Sequence, residues 1–315
     1  MKKPLIILTG PTAVGKTSLS IALAKAVNGE IISADSMQVY RHMDIGSAKI
    51  RPEEMHGVPH HLVDCLEPDE EFNVVRFQQM AKEAMEGIYT RGRIPVLVGG
   101  TGFYIQAVTG DIDFTVHGED TTYRRMLEEK AKTEGAQVLH EMLAAVDPAS
   151  AEAIHANNVK RVIRALEYYQ QTGKPISQHN EEQRQKESPY NLAYFVLNDD
   201  RSRLYERIDA RIDQMLDEGL IDEVKALKEM GYHKGMVSMQ GLGYKEILSY
   251  LDGTWSLEVA VYVLKRDTRH FAKRQITWFK RERQVEWFDK QEFGYDSQAI
   301  LDAMLASLRE KKIIE

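Results

Sequence analysis

In PLIILTGPTAVGKTSLSIALAKAV (residues 4–27), a strand pattern, a glycine-bounded loop and a helix pattern follow one another directly. The apolar run over residues 4–10 is typical of a central parallel strand that is covered on both faces. From residue 17 to residue 27, apolar side chains recur at the spacing of one helix face. The residues between these two patterns match G-x-x-x-x-G-K-[ST], the phosphate-binding loop, in the strand, loop and helix context that the motif requires.

The loop motif predicts a binding site for a diphosphate group. Its glycines let successive backbone amides converge on phosphate oxygens, and the start of the following helix adds partial positive charge. Lys16 supplies a cation, and the Thr17 hydroxyl is placed to reach Mg²⁺. The residues predicted to bind the diphosphate are Gly10, Pro11, Thr12, Ala13, Val14, Gly15, Lys16 and Thr17. The motif leaves open which phosphorylated compound binds, and a chance glycine turn is the alternative interpretation.

Strand and helix patterns alternate over the first third of the chain. EIISADS (30–36) and RIPVLVGG (93–100) are typical of further strands, and the periodicity of residues 73–89 predicts a helix between them. No strand pattern occurs from residue 116 to residue 189, where apolar side chains follow helical spacing. NLAYFVLN (191–198) is again typical of a buried strand.

These patterns predict an α/β fold with a P-loop-type core, in which a mainly parallel sheet is flanked by helices. The core comprises residues 1–115 and 190–315, with a helical region toward the C-terminus. Residues 116–189 form an all-helical insert domain. Catalytic loops are expected beyond the carboxyl ends of the strands.

The composition excludes several classes of protein. The 315 residues include 41 lysines and arginines against 48 aspartates and glutamates, a net charge of −7. No positive field therefore covers the whole molecule, and a nucleic-acid surface has to be a local basic patch. Cys65 is the single cysteine, so it forms no internal disulfide and a reducing, cytoplasmic location is expected. No apolar stretch approaches the roughly 18–20 residues needed to cross a bilayer, so no membrane association is expected.

Two loops that follow predicted strands carry further candidate residues. Asp35 lies at the sheet edge that also holds the phosphate loop, where its carboxylate could take a proton or help to hold a metal ion. The ordinary role of such a carboxylate is that of a helix cap or loop anchor. The glycines of GGTGFY (99–104) permit close approach of a backbone or a ligand, with a sharp turn as the alternative. Within this loop, Thr101 offers its hydroxyl to a substrate base or phosphate.

Basic residues are concentrated in two segments with helical periodicity. Residues 265–283 carry a net charge of +6 in an otherwise acidic chain. Four of their side chains form a stripe on one helix face: Arg266, Arg269, Lys273 and Lys280. The second, smaller set is Lys160, Arg161 and Arg164. Two separated basic faces favour an extended RNA ligand, whereas solvated helix faces and a salt bridge to Glu167 are the alternatives.

Three arginines recur at four-residue intervals on the helix that follows the last predicted strand. They are Arg203, Arg207 and Arg211. An arginine that reaches back to the phosphate loop would neutralise a departing diphosphate. Ion pairing with Glu206 or Asp209 is the ordinary interpretation, and the sequence does not separate the two.

Taken together, five motifs resemble the bacterial tRNA isopentenyltransferase family, whose members are also called tRNA dimethylallyltransferases. The motifs are GPTAVGKT (10–17), SADSMQVYRHMDIGSAK (33–49), LVGGTGFY (97–104), QGLGYKE (240–246) and KRQITWFK (273–280). Phosphate loops are common, but this ordered combination is specific to that family, and the resemblance runs through most of the chain.

The resemblance implies transfer of a dimethylallyl group from dimethylallyl diphosphate to the exocyclic amine of the adenosine immediately 3′ of the anticodon in tRNA. It implies that Asp35 is the general base and that Thr101 also acts at the catalytic centre. Arg207 is the best match for the family's diphosphate-binding arginine, with Arg211 second. Mg²⁺ is expected near Thr17. The partners implied are the tRNA anticodon stem-loop and dimethylallyl diphosphate, and the protein is expected to be a monomer.

The resemblance also implies a set of tRNA-contacting residues. They are Asp35, Ser36, Met37, Gln38, Thr101, Arg124, Lys160, Arg161, Arg164, Gln240, Gly243, Lys245, Lys273, Arg274, Gln275 and Lys280. Three other functions stay open on the residues alone. A P-loop small-molecule kinase would use the loop without the basic segments, a non-catalytic RNA-binding protein would use the basic segments without Asp35, and a prenyltransferase for free adenine nucleotides would need no tRNA surface.

Overall fold

The computed structural model describes residues 2–114 and 122–315. Within them the chain forms two compact units, one of residues 1–109 and 188–315 and the other of residues 110–187. The start predicted for the insert, residue 116, lies outside the described residues. The first unit contains a sheet with flanking helices, and the described part of the second contains helices alone.

The sheet has six strands, all of them parallel to their neighbours. In chain order the strands are β1 (Lys3–Thr9), β2 (Gly29–Ser33), β3 (His60–His61), β4 (Ile94–Gly99), β5 (Tyr190–Asn198) and β6 (Val285–Asp289). Across the sheet the order is β3-β2-β4-β1-β5-β6. This arrangement confirms the predicted α/β fold with a mainly parallel sheet.

Thirteen α-helices are seen in the described residues. They are α1 (Lys16–Ala26), α2 (Val74–Thr90), α3 (Gly102–Thr109), α4 (Thr122–Glu134), α5 (Ala136–Val146), α6 (Pro148–Ala153), α7 (Val159–Thr172), α8 (Ile176–Gln185), α9 (Arg201–Asp217), α10 (Leu220–Glu229), α11 (Tyr244–Leu251), α12 (Leu257–Phe279) and α13 (Ser297–Glu310). None of these helices has the length and the apolar content needed to span a membrane.

The core of the first unit is built around β1, the strand predicted from the apolar run at the start of the chain. Leu5 to Leu8 are fully buried. Strands β4 and β5 flank β1, with Ile6 opposite both Val96 and Ala193. Because helices cover both faces of a parallel sheet, consecutive residues of β1 are apolar instead of alternating with polar ones.

The sequence patterns do not predict β3 and β6, the two edge strands. Strand β3 has two residues, and Nε2 of its His61 donates to the buried carboxylate of Glu30 at 2.7 Å. Strand β6 has a mixed sequence, VEWFD, in which only Phe288 is buried. Short strands with polar residues carry no apolar run that distinguishes them from a loop.

The parallel arrangement brings the carboxyl ends of the strands to one edge of the sheet. Five residues that follow the strands share this edge: Gly10 after β1, Asp35 after β2, Thr101 after β4, Asp199 after β5 and Lys290 after β6. In open α/β sheets, ligands bind in the crevice outside these ends.

The second unit has its own apolar core, which includes Leu127, Leu139 and Leu143. The buried Asp147 joins two helix starts, because its carboxylate accepts bonds from the amides and hydroxyls of both Ser150 and Ser177. The polar run NEEQRQKESP (180–189) carries no apolar face for a packed helix, but α8 extends into it. That helix buries no residue, and bonds between side chains four residues apart accompany it.

Candidate active site and nucleic-acid surface

The phosphate loop connects β1 to α1 as its motif predicts. Gly10 has φ 145°, and a Cβ on it would lie 2.2 Å from the carbonyl oxygen of Leu197, so no other residue fits there. Gly15 caps α1 in the left-handed region at φ 98°. Helix α1 begins at Lys16, and the first amides of a helix have no partner within it. This end of α1 is therefore suited to an anion.

Lys16 is folded back over its own loop. Its Nζ donates to the carbonyl oxygens of Gly10 at 2.9 Å and Pro11 at 2.8 Å. The pKa of Lys16 is lowered to about 8, because burial and, to a smaller extent, the charge of Arg211 lower it, and the charge of Asp35 offsets only part of this. Because little compensates the charge of Lys16, a phosphate anion that binds beside it stabilises the charged ammonium form.

One amide of the loop is already used within the protein. Thr12 donates its N–H to Oε1 of Gln275 at 2.8 Å. The backbone donor of Thr12 is therefore occupied by a side chain of α12, and the role of Thr12 in binding the diphosphate stays a prediction. The Thr17 side chain is exposed, and its hydroxyl has no hydrogen-bond partner among the described residues.

Asp35 divides its two carboxylate oxygens between two roles. Oδ1 accepts bonds from the amides of Met37 at 2.8 Å and Gln38 at 3.3 Å, which is the loop-anchor role. Oδ2 accepts no bond from the described residues. The charge of Asp35 acts on both Lys16 and Arg211, because it opposes the lowering of their pKa values. A carboxylate with one fixed and one open oxygen beside a cationic loop is suited to general-base chemistry.

Other groups of the protein occupy the space beside the glycines that follow β4. A Cβ on Gly100 would lie 2.2 Å from Nε2 of Gln275, and that same nitrogen donates to the carbonyl oxygen of Gly100 at 2.9 Å. Thr101 donates its amide to the carbonyl oxygen of Ala34, next to Asp35, at 3.3 Å. Its side chain is half-buried, with no hydrogen-bond partner for the hydroxyl among the described residues.

Gln275 is only 6% exposed, and both ends of its side-chain amide are bonded within the protein, to Thr12 and Gly100. The tRNA contact that the resemblance implies for it stays a prediction. Its position favours a different role, in which it holds the phosphate loop and the β4 loop at a fixed separation.

The arginines of α9 are free of the ion pairs that would make them ordinary surface residues. Asp209 is bonded to Arg269 of α12 at 2.6 Å, so it is not the partner of Arg207 or Arg211. Neither of those two arginines forms a salt bridge within the described residues. Nη2 of Arg207 lies 3.3 Å from the position that a Cβ on Gly15 would take, which puts its guanidinium against the phosphate loop. Arg211 is half-buried, and burial lowers its pKa.

Two stretches that the resemblance implies as tRNA contacts lie side by side. A Cβ on Gly241 would lie 2.5 Å from the terminal methyl group of Met37, which joins the loop of residues 35–38 to that of residues 240–245. Ser36 is half-buried, whereas the side-chain Nε2 of Gln38 donates within the protein to the carbonyl oxygen of Ala48 at 3.2 Å. Gln38 is thus held as part of the loop.

The second of these stretches precedes and begins α11. Gln240 is exposed and donates to the carbonyl oxygen of Lys234. Gly243 has φ 95°, and its amide donates to the buried Glu246 at 2.9 Å. Lys245 also forms an ion pair with Glu246, at 3.4 Å.

The basic stripe of α12 is neutralised along its first half and unpaired along its second. Arg266 is paired with Asp267 and Arg269 with Asp209. Lys273, Arg274 and Lys280 are exposed and have no acidic partner among the described residues. Lys273 and Arg274 border an open groove of about 440 Å³, which is also lined by His270, Thr277, Trp278 and Arg281. A cationic groove with an indole ring along it is suited to a single-stranded nucleic acid.

Comparison with known sequences places these features in one family. The sequence model described as IPP transferase matches residues 38–282, and a model described as isopentenyl transferase matches residues 3–64. The chain belongs to the IPP transferase family. Curated members include the tRNA dimethylallyltransferase of Lachnoclostridium phytofermentans, 66% identical over 313 residues (99% of this chain and 100% of the relative). That of Carboxydothermus hydrogenoformans is 53% identical over 289 residues (92% and 93%).

Solved structures of related IPP transferases have the same fold. The tRNA isopentenylpyrophosphate transferase of Bacillus halodurans is 47% identical, with a TM-score of 0.74 over 99% of this chain and 98% of that one. A eukaryotic dimethylallyltransferase acting on tRNA is 32% identical, with a TM-score of 0.78 over 91% of this chain and 74% of that one. The recognition of the family from its five motifs is thereby confirmed.

The helical unit of this IPP transferase carries the other implied tRNA contacts. The guanidinium of Arg124 in α4 forms a bidentate pair of hydrogen bonds with the carboxylate of Glu167, at 2.9 and 2.7 Å. Among the described residues, Glu167 therefore pairs with Arg124 and not with the basic residues of its own helix. Lys160 and Arg161 are exposed on α7. Arg164 is half-buried, and burial lowers its pKa.

Sequence reasoning missed two charged residues of the P-loop edge in this IPP transferase. Asp199 and Lys290 follow β5 and β6, and the Nζ of Lys290 lies 3.4 Å from the carbonyl oxygen of Val14 in the phosphate loop. Recognising β6 as a parallel strand would have pointed to Lys290, because residues after such strands meet at the binding edge.

Proposed function

We propose that this IPP transferase transfers a dimethylallyl group from dimethylallyl diphosphate to the exocyclic amine of the adenosine 3′ to the anticodon of a tRNA. The observation that carries the proposal is the open Oδ2 of Asp35 at the same sheet edge as the cationic phosphate loop. A base and an anion site side by side are what this substitution requires. The names of the related tRNA dimethylallyltransferases support the choice of substrates.

The leaving group is the diphosphate. As the bond between the allylic carbon and the diphosphate oxygen breaks, its electron pair stays on that oxygen and negative charge builds there. Lys16 and Arg207 touch the phosphate loop, and Arg211 acts electrostatically on Lys16. These three cations stabilise the departing anion, which is the electrostatic part of the rate enhancement.

The nucleophile is the exocyclic amine of adenine. Its lone pair is delocalised into the ring, so it attacks an allylic carbon only when a good leaving group departs. The lone pair forms the new bond between nitrogen and carbon, and one amine proton passes to Oδ2 of Asp35. That oxygen needs hydrogen-bond reach of about 3 Å to the amine. Oδ1 keeps its bonds to the loop amides and holds the carboxylate in position.

The residues of the loop fit Mg²⁺. No group of three or more acidic, histidine or cysteine side chains suited to a metal is found among the described residues. Mg²⁺ at a phosphate site needs no such group, because it is held by one or two protein oxygens, phosphate oxygens and water. The exposed, unpartnered hydroxyl of Thr17 is such an oxygen. When bound, Mg²⁺ supplies positive charge that stabilises the diphosphate as it leaves.

The tRNA surface includes the unpaired half of α12. Lys273, Arg274 and Lys280 would meet phosphates, and Trp278 would stack on an unpaired base. Extruding a base costs only a few kcal/mol when it lies in a loop and not in a duplex. We propose that the enzyme acts in the cytoplasm, as a monomer, since one chain holds the whole set of catalytic residues.

A substrate panel tests this function. Protein, Mg²⁺ and labelled dimethylallyl diphosphate are incubated with unmodified tRNA, with AMP or with neither, and label in each product is counted. Transfer to tRNA alone is expected. Transfer to AMP alone would establish the free-nucleotide prenyltransferase, and label that stays with the diphosphate in every mixture would refute the proposal. A parallel incubation with γ-labelled ATP and the same acceptors detects a kinase.

A further inference from the structure

We propose that Lys290 is a further binding residue for the diphosphate, held in place by the buried carboxylate of Asp199. The proposal rests on the proposed function, since it adds a cation to the same anion site. Neither residue belongs to a motif of the phosphate loop, and both come from the end of the sheet formed by β5 and β6.

The side chain of Lys290 lies against the phosphate loop, beside Val14 and Gly15. Its amide donates to the carbonyl oxygen of Asn198 at 3.1 Å, which fixes the start of its side chain at the end of β5. Its Nζ lies 3.4 Å from the carbonyl oxygen of Val14 and 3.7 Å from the position that a Cβ on Gly15 would take. Arg207 approaches the same Gly15 position at 3.3 Å. Two cations from separate elements therefore converge on one point of the loop.

The ammonium of Lys290 has bonding capacity that the protein does not use. A lysine has three N–H donors. The polar contacts of Nζ within the described residues are one long bond to Val14 and an approach of 3.9 Å to Oδ2 of Asp199. Its side chain is only 14% exposed, so water has little access to the remaining donors. An enclosed ammonium with spare donors beside a phosphate loop is suited to an anionic oxygen.

Asp199 is the group that keeps this ammonium in place. Its side chain is 1% exposed; Oδ1 accepts the amide of Asp200 at 2.8 Å, and Oδ2 has no hydrogen-bond partner. A buried carboxylate with one oxygen left without a hydrogen bond is destabilising unless a cation lies near it. Burial and the neighbouring Arg207 and Arg203 lower the pKa of Lys290, whereas the charge of Asp199 opposes that lowering. Asp199 is thus a positioning residue that preserves the charge of Lys290.

The charge balance of the site supports an anion of high charge. Five cations act on one another at this site: Lys16, Arg203, Arg207, Arg211 and Lys290. Asp35 acts on Lys16 and Arg211, and Asp199 acts on Lys290. Against these two carboxylates, three positive charges remain. A diphosphate supplies the opposite charge.

The first test measures binding of inorganic diphosphate, in the presence of Mg²⁺, to the full chain by calorimetry. Lys290→Met is expected to weaken binding by about tenfold or more, the equivalent of one hydrogen bond between charged groups. The matched control is Lys225→Met, an exposed lysine of α10, which is expected to bind as the unchanged protein does. Lys290→Arg is expected to restore most of the affinity. Equal affinity of Lys290→Met and the unchanged protein would overturn the proposal.

Asp199 is tested by a double-mutant cycle. Asp199→Asn is expected to weaken diphosphate binding in the unchanged background and to have no further effect in the Lys290→Met background, because it acts through the ammonium. A purely structural carboxylate would weaken binding equally in both backgrounds, and that result would overturn the pairing.

A second measurement needs no variant and so does not depend on a variant's folding. Amine-specific labelling of the unchanged protein is read by peptide mass spectrometry with and without inorganic diphosphate. Labelling of Lys290 is expected to fall when diphosphate is present, while labelling of Lys225 stays constant. If the protein binds diphosphate but the labelling of Lys290 does not change, the role of Lys290 is refuted and the proposed function is not. A protein that binds no diphosphate would refute the proposed function together with it.

Discussion

At the scale of single residues, Asp35 shows how a loop anchor and a catalytic base are combined in one side chain. The sequence places a carboxylate after β2 but does not separate the two roles. The structure assigns them to different oxygens: Oδ1 is bonded to the loop, and Oδ2 is open. Lys16 is the electrostatic counterpart of Asp35, because its charge is held in a partly buried setting that a bound anion would favour.

Diphosphate binding is expected to depend on pH through Lys16. Its pKa of about 8 in the free protein means that the ammonium is charged below pH 8 and neutral above it. Binding therefore takes up a proton above pH 8, and the affinity falls as pH rises from 8 to 9.5, by at most about tenfold per unit for this group. Calorimetry at several pH values measures the effect. Diphosphate itself titrates in the same way in experiments with the unchanged protein and with the Lys16→Met variant. The ratio of the affinities of these two proteins therefore isolates the effect of Lys16. A ratio that does not change with pH would contradict the role assigned to Lys16.

At the scale of elements, α12 is both a wall of the site and a candidate RNA surface. Its Gln275 joins the phosphate loop to the β4 loop through two bonds, to Thr12 and to Gly100. One turn further on, Trp278 faces the groove. A single helix therefore connects the geometry of the diphosphate site with the surface that we propose for tRNA.

Replacing Gln275 by leucine is expected to destabilise the fold and to loosen the phosphate loop. The change leaves the part-buried amide of Thr12 and the buried carbonyl of Gly100 without partners, at about 1–3 kcal/mol each, so the free energy of unfolding falls by about 2–4 kcal/mol. Urea denaturation measures the loss, and calorimetry measures the weaker binding of diphosphate that accompanies it. Gln79→Leu, on the exposed face of α2, serves as the control and stays within about 0.5 kcal/mol. Equal stability of the two variants would show that the two bonds contribute nothing.

At the scale of the whole molecule, an acidic chain presents a local cationic surface. The net charge of −7 coexists with an unpaired basic groove on α12. Binding of tRNA should therefore be electrostatic and local, in contrast to the general attraction that a basic protein exerts.

The salt dependence of tRNA binding tests this surface. The double variant Lys273→Gln/Lys280→Gln is expected to reduce the slope of log affinity against log salt by about 1.5–2, because each lysine releases about one counterion. Filter binding at about 50–300 mM salt measures this slope. Lys225→Gln is the control, with an unchanged slope. A slope that is the same for the double variant and the control would place the tRNA elsewhere.

Much of the fold follows from local sequence patterns. The strand, loop and helix of residues 4–27 were predictable because a motif and two periodicities lie next to one another. Strands β3 and β6 were not, since short edge strands lack an apolar run. The contact of Gln275 with Thr12 spans 263 positions, and nothing in either segment indicates it. Lys290 was missed for the same reason, because its role depends on a strand order that only the folded chain reveals.

The role of Asp35 as general base is tested by the single-turnover rate of transfer from labelled dimethylallyl diphosphate to a tRNA anticodon stem-loop, for the unchanged protein and for Asp35→Asn. Asparagine keeps the bond from the Met37 amide and removes the proton acceptor, so the rate should fall by about 10²–10⁴-fold while the affinities for diphosphate and tRNA stay within a few-fold. Asp217→Asn, an exposed change on α9, should transfer at the normal rate. Transfer by Asp35→Asn at the rate of the unchanged protein would show that Asp35 is not the general base.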